Sequence, residues 1–127
     1  MKTVIVDTNF LIDCAANKID IHKELTRALD ESFEIAILDR TMEELDNLAH
    51  GKTKLAKNAK LVKTILMTQH VSTIMTTGGH VDKLLIERAG PDTIIATADA
   101  DIKKKLKAKK QPVIVIRAKK KLAFIGA

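Results

Sequence analysis

Short runs of branched apolar residues alternate with stretches of helical periodicity along the chain. Strands are predicted at Thr3–Val6, Phe33–Leu38, Val71–Met75, Thr93–Ala96 and Val113–Ile116. Helices are predicted at 10–16, 21–29, Thr41–Ala49, Lys54–His70, Val81–Ala89 and Ala100–Lys109. The order β-α-α-β-α-α-β-α-β-α-β predicts one α/β domain over residues 1–127, a three-layer α/β/α sandwich with a mainly parallel, roughly five-stranded sheet. Ligands of such sheets bind beyond the carboxyl ends of the strands.

Charge is segregated along the chain, whose formal net charge is +6. Residues 1–46 hold 11 acids and 5 bases, whereas residues 47–127 hold 5 acids and 17 bases. A basic surface of this kind suits a polyanion, and nucleic acid is the commonest such partner. No apolar run approaches the roughly 20 residues of a membrane span, so we expect a cytoplasmic protein with no membrane partner.

Four carboxylates are predicted to gather at one edge of the sheet. Asp7 and Asp99 lie just beyond the carboxyl ends of predicted strands, and Glu44 and Asp82 lie in the first turns of predicted helices. Each has a structural explanation as well: Asp7 and Asp99 suit helix N-caps, Thr41 to Glu44 fits a capping box, and Asp82 complements a helix dipole. Crowded carboxylates repel one another unless a cation compensates them, which favours a shared metal ion.

Oxygen ligands without histidine or thiolate suit Mg²⁺ or Mn²⁺. Such an ion lowers the pKa of a bound water and stabilises displacement at phosphorus, so we expect hydrolysis of a phosphodiester that leaves a 5′-phosphate and a 3′-hydroxyl. Thr8 and Asn9 are predicted to position a water or a substrate phosphate. The lysines after Asp99 are predicted to bind the RNA backbone: Lys103, Lys104, Lys105 and Lys107.

These residues resemble the PIN-domain nucleases over nearly the whole chain. The resemblance rests on Asp7-Thr8-Asn9-Phe10-Leu11, Glu44-Leu45, Asp82 at the start of a helix, and Thr97-Ala98-Asp99-Ala100-Asp101-Ile102, all in the family's order. It implies a metal-dependent endoribonuclease with Asp7, Glu44, Asp82 and Asp99 as catalytic metal ligands. It also implies that Thr97 positions substrate and that Asp101 is either a supporting ligand or a helix cap. Ala98 departs from the family, in which Asn is common at this position.

Within that family the chain is most similar to the archaeal and eukaryotic branch that processes small-subunit ribosomal RNA. This likeness rests on the first two motifs and on the ending Pro112 to Gly126, and it implies pre-rRNA as substrate and ribosome-assembly partners. PIN toxins, which pair with an antitoxin, are the alternative within the family. A homodimer is expected from the family alone.

Other protein classes fit the sequence less well. The tripeptide Gly51-Lys52-Thr53 lacks the first glycine of a P-loop, because position 46 is Asp. A haloacid-dehalogenase-type phosphatase needs a general acid where Asn9 stands. A non-catalytic RNA-binding assembly factor with the same fold stays open, although 2% aromatic residues argue against a protein that stacks bases.

Overall fold

The computed structural model describes residues 1–126. Within them the elements follow in the order β1 (Lys2–Val6), α1 (Thr8–Ala16), α2 (Ile21–Leu29), β2 (Phe33–Leu38), α3 (Asp39–Leu48), α4 (Lys54–Thr68), β3 (Ser72–Ile74), α5 (Val81–Arg88), β4 (Thr93–Ala96), α6 (Ala100–Ala108), β5 (Val113–Arg117) and β6 (Lys121–Ile125). The predicted strands Phe33–Leu38 and Thr93–Ala96 and the predicted helix at 21–29 are confirmed to the residue. The other predicted elements are confirmed with ends that differ by one or two residues.

The strands form one sheet in the order β3-β2-β1-β4-β5-β6. The pairs among β1 to β5 are parallel, and β6 runs antiparallel to β5. Strand order reverses between β1 and β4, the point at which open α/β sheets bind ligands in a crevice. Because Val6 is in register with Ala96, the chain segments that begin at Asp7 and Thr97 leave the sheet side by side at this crevice.

Two apolar layers enclose the sheet and confirm the predicted three-layer architecture. One layer joins buried side chains of α1, α2, α3 and α4 to one face of the sheet, and Phe10 and Leu25 within it are completely buried. The other joins α5 and α6 to the opposite face through Leu85 and Leu106. Both faces of the central strands are therefore covered, as their continuous apolar sequences require.

The sheet is larger than predicted, because residues 121–125 form β6 along β5. The turn between the two strands places Ala118 at φ 54° and Lys119 at φ 55°. Two consecutive left-handed residues are characteristic of a type I′ hairpin turn, which normally contains Asn or Gly. The sequence therefore lacks the usual signal for this hairpin.

Helix α3 begins at Asp39, two residues before the predicted start. Thr41 consequently lies inside the first turn and is buried, with 3% of its surface exposed. The proposed capping box of Thr41 and Glu44 is therefore wrong. Asp39 accepts the backbone N–H of Arg40 at 3.0 Å and satisfies one of the free amides at this helix start.

Among the described residues, none of the helices combines the length and apolar character needed to cross a membrane.

Candidate active site

Asp7 lies where β1 ends and α1 begins, beside the point at which strand order reverses. Its Oδ1 accepts the backbone N–H of Thr8 at 2.8 Å, and its Oδ2 accepts the Thr97 hydroxyl at 3.0 Å. Burial raises the pKa of Asp7 against the effect of these hydrogen bonds, and the negative charges of Asp82 and Asp99 raise it further. The carboxylate is thus held rigidly in a site where its own negative charge is disfavoured.

Asp99 follows β4 and caps α6. Its Oδ1 accepts the backbone N–H groups of Asp101 and Ile102 at 2.8 and 3.0 Å. The Thr97 hydroxyl, which donates to Asp7, accepts the N–H of Asp99 at 3.1 Å. One buried hydroxyl therefore links the two predicted ligands, and the prediction that both lie at one edge of the sheet is confirmed.

Glu44 reaches the site from α3. Burial raises the pKa of Glu44, the Thr8 hydroxyl lowers it, and the charge of Asp7 raises it again. The Thr8 hydroxyl donates to Thr41 Oγ1 at 3.2 Å, in the buried contact between α1 and α3. Glu44 is half-buried, and no side-chain capping bond is made at the start of its helix.

Asp82 is exposed in the first turn of α5. Its charge is felt at Asp7, and it lines a groove of about 600 Å³ together with Lys105 of α6. Asp101 is also exposed, and only its backbone N–H contacts Asp99. The Thr97 hydroxyl thus joins Asp7 and Asp99, while Glu44 is half-buried on α3 and Asp82 and Asp101 are exposed.

Three threonines are the buried polar side chains of the described residues: Thr8, Thr41 and Thr97, each no more than 3% exposed. Thr8 and Thr97 were predicted to position substrate, but their hydroxyls are turned inward, toward Thr41 and Asp7 respectively. Asn9 is exposed and free to face a ligand. The role of Thr41 was missed because a threonine near a helix start suggests a cap, and only tertiary packing shows otherwise.

A second missed feature joins α3 to the loop before α5. The Thr76 hydroxyl donates to Asp39 Oδ1 at 2.6 Å, and this bond is the main cause of the lowered pKa of Asp39. The Arg40 guanidinium donates to the carbonyl of Gly79, three residues before Asp82. The helix that holds Glu44 therefore also anchors the segment that holds Asp82.

The donor set suits a hard divalent cation. Every candidate ligand is a carboxylate oxygen, and the pKa values of Asp7 and Glu44 are raised first by burial and then by the charges of other acids, a cost that a cation would relieve. No three Asp, Glu, His or Cys side chains within residues 1–126 approach closely enough to form a ready-made metal cage. This arrangement fits Mg²⁺, which usually keeps several waters and takes only one or two carboxylates directly.

The predicted RNA-binding lysines do not share one surface. Lys105 faces the groove with Asp82, whereas Lys103 and Lys107, one turn apart on α6, line cavities beside β5. Lys103 also lines a small cavity beside Ala98. Lys103, Lys105 and Lys107 therefore do not all line the same cavity and do not form a single basic stripe.

Comparison with known proteins identifies the family of the chain. A family model described as a PIN like domain matches residues 4–119. The chain belongs to the PIN-like domain family. The resemblance that the motifs indicated is thereby confirmed. A relative from Methanocaldococcus jannaschii, Ribonuclease VapC4, is 35% identical over an alignment of 133 residues that covers 99% of this chain and 98% of the relative.

Solved structures show the same PIN-like fold. The PIN domain endonuclease Utp24 superposes with a TM-score of 0.78 at 23% identity, over 96% of this chain and 90% of that one. A domain of a functionally unknown protein from Methanocaldococcus jannaschii superposes with a TM-score of 0.59 at 15% identity, over 93% of each chain. At these identities the likeness supports the fold only, and any activity has to be argued from the residues of the site.

Proposed function

We propose that this PIN-like protein is an endoribonuclease that hydrolyses RNA phosphodiesters with a water activated at a divalent cation. The observation that supports this most is Asp7: a partly buried carboxylate at the reversal point of the sheet, with its pKa raised by burial and by two further acids. The relative that is 35% identical to this chain is named as a ribonuclease, which supports RNA as the substrate. The basic part of the chain, residues 47–127, supplies the positive charge that binds a polyanion.

Asp7 and Asp99 are proposed as the direct ligands of Mg²⁺ or Mn²⁺. Each uses one oxygen to accept backbone N–H groups at a helix start, which fixes the direction of the other oxygen. The Thr97 hydroxyl holds the second oxygen of Asp7. Asp82 and Asp101, both exposed, are proposed to contact the hydrated ion from the rim. The bound cation would lower the pKa of the attacking water and neutralise charge on the phosphate.

Glu44 is proposed to accept the proton of the attacking water. A carboxylate whose pKa is raised by burial is a better general base near neutral pH than an exposed one. Water oxygen bonds to phosphorus as the bond to the 3′-oxygen breaks, and the leaving oxygen is protonated by solvent. The products are a 5′-phosphate and a 3′-hydroxyl. Lys105, which faces the groove beside Asp82, is proposed to hold the phosphate backbone.

The finer assignments rest on the family resemblance. A cytoplasmic location, ribosomal RNA as substrate, a homodimer, and an antitoxin or ribosome-assembly partner all remain predictions.

The proposed function is tested by cleavage of a single-stranded RNA in Mn²⁺ or Mg²⁺ by the wild-type chain and by Asp7→Asn. The variant is expected to lose cleavage by at least about a hundredfold, because one ligand and its charge disappear. The matched control is Asp20→Asn, which changes an exposed aspartate that caps α2 through Lys23 N–H. Cleavage by Asp7→Asn at the wild-type rate, or cleavage that chelation leaves unchanged, would refute the mechanism.

A further inference from the structure

A small polar cavity lies directly beside the proposed active site. It has a volume of about 280 Å³ and is lined by Asp13, Asn17, Ala98, Lys103, Ile116 and Lys119. Ala98 stands between Thr97, which holds Asp7, and the ligand Asp99. The cavity is therefore adjacent to the position at which a substrate phosphate would be cleaved, and it is of a size to take one nucleotide unit.

One wall of this cavity presents hydrogen-bond acceptors. Within residues 1–126 the carboxylate of Asp13 accepts no hydrogen bond and forms no ion pair, so both of its oxygens are available. Asn17, which caps the C-terminus of α1, donates from its Nδ2 to the backbone carbonyl of Asp13 at 2.8 Å. That bond leaves the Asn17 Oδ1 as an additional acceptor. The wall therefore favours a ligand that presents adjacent donors.

The remaining lining suits the rest of a nucleotide. Ala98 and Ile116 are half-buried and apolar, which suits the face of a base or a ribose. Lys103 and Lys119 supply positive charge for a phosphate or for carbonyl and ring-nitrogen acceptors of a base. Ala98 matters most, because the asparagine common in the family would occupy part of this space.

Of the four RNA bases, guanine alone presents two neighbouring donors, N1–H and N2–H, to a single carboxylate. Adenine and cytosine place an acceptor beside their amino group, and uracil flanks its one N–H with carbonyls, so each would direct a lone pair at an aspartate. We propose that this cavity is a guanine-selective subsite, in which Asp13 accepts both donors of a base next to the cleaved phosphate. The proposal rests on the proposed function for its substrate, RNA.

The first experiment compares cleavage of oligoribonucleotides that are uridine throughout except for one G, A or C. Cleavage is expected next to the G about tenfold faster than next to the other bases, the discrimination typical of a bidentate contact. In Asp13→Asn one acceptor becomes a donor, and the preference for G is expected to fall to about twofold or less. Ala98→Asn, which narrows the cavity, is expected to lose the preference as well. Asp20→Asn is the control and should keep it.

The second experiment measures binding and does not depend on cleavage. The wild-type protein, with its metal chelated, is titrated with 5′-GMP and 5′-AMP while the backbone amides of α1 are followed by NMR. Binding of GMP at least about tenfold tighter than AMP, lost in Asp13→Asn, is the expected result. Equal binding of the two nucleotides, or GMP binding unaffected by Asp13→Asn, overturns the subsite. Cleavage that requires Asp7 but shows no base preference also overturns it while leaving the proposed function intact.

Discussion

Replacing Asp7 by asparagine should stabilise the protein when no metal is bound. The pKa of Asp7 is raised, first by burial and then by the charges of Asp82 and Asp99. An acid whose pKa is higher in the folded state favours folding while it is protonated. That contribution is present below the usual aspartate pKa and is lost as pH rises through the raised value. At neutral pH the ionised carboxylate therefore destabilises the metal-free fold.

The size of the effect follows from the contacts of Asp7. Each unit by which the folded-state pKa exceeds the unfolded one costs about 1.4 kcal/mol once the group is ionised. Asparagine caps a helix as well as aspartate does, so the bond from Thr8 N–H is retained. The Thr97 hydroxyl loses a charged acceptor, which costs about 1 kcal/mol. A rise in Tm is therefore expected, and in a chain of this size each 1 kcal/mol of net gain corresponds to about 3–5 °C.

The assay is thermal unfolding of wild type and Asp7→Asn in a chelating buffer at pH 7.5 and again near pH 4. The variant should be the more stable at pH 7.5, and its advantage should shrink at the lower pH, where wild-type Asp7 is increasingly protonated. Asp20→Asn, an exposed N-cap, should leave the Tm nearly unchanged at both values. A Tm for Asp7→Asn several degrees below wild type at pH 7.5 would show that Asp7 is mainly a structural cap, and the electrostatic reasoning would fail.

Three further outcomes are expected. Arg40→Ala should lower kcat at least about tenfold and weaken Mn²⁺ binding measured by calorimetry, because the segment before Asp82 loses its hydrogen bond to Arg40. Arg88→Ala changes an exposed arginine and is the control. Equal losses of kcat and of Mn²⁺ affinity in the two variants would contradict this role of Arg40. Glu24→Ala should lower the Tm more at pH 7 than at pH 3, because the lowered pKa of Glu24 stabilises the fold only where the group is ionised; a pH-independent difference would count against it. Ala118→Gly should raise the Tm by a few degrees, because alanine in the left-handed conformation costs about 1 kcal/mol that glycine avoids. A lower Tm would show that the turn is unstrained.

The placement of Asp7 and Asp99 could be predicted because it depends on local pattern and one topological rule. Each follows a short apolar run, and alternation with helices predicts parallel strands whose carboxyl ends share an edge. Strand order confirms this, with β1 and β4 as neighbours. The same placement indicated function, because two carboxylates at one sheet edge do not stabilise an apolar core but can bind a cation.

Other features depend on contacts between distant segments, which periodicity does not describe. Thr41 looks like a cap in sequence, yet it is buried against Thr8, which is 33 residues away. Nothing in the sequence around Arg40 indicates its contact with Gly79, which is 39 residues away. Strand β6 was missed for a local reason, because its hairpin turn uses left-handed residues other than glycine or asparagine. Residues that make such contacts are recognisable only once the fold is known.

The structural and the chemical explanations of Asp7 and Asp99 do not compete. Both are N-caps, as one explanation from the sequence held. A cap bond engages Oδ1 in each case, and it removes the rotational freedom of the carboxylate. A ligand that is already immobilised loses less entropy on binding a cation or a substrate phosphate. The two helix starts therefore fix the orientation of both carboxylates, and the second oxygen of Asp7 accepts the Thr97 hydroxyl. On this view an Asp99→Ser change, which keeps a capping side chain, should preserve the Tm to within about 1–2 °C. Cleavage should nonetheless fall at least about a hundredfold, because a hydroxyl cannot replace the charge. Retained activity in Asp99→Ser would show that the cap alone is what the site requires.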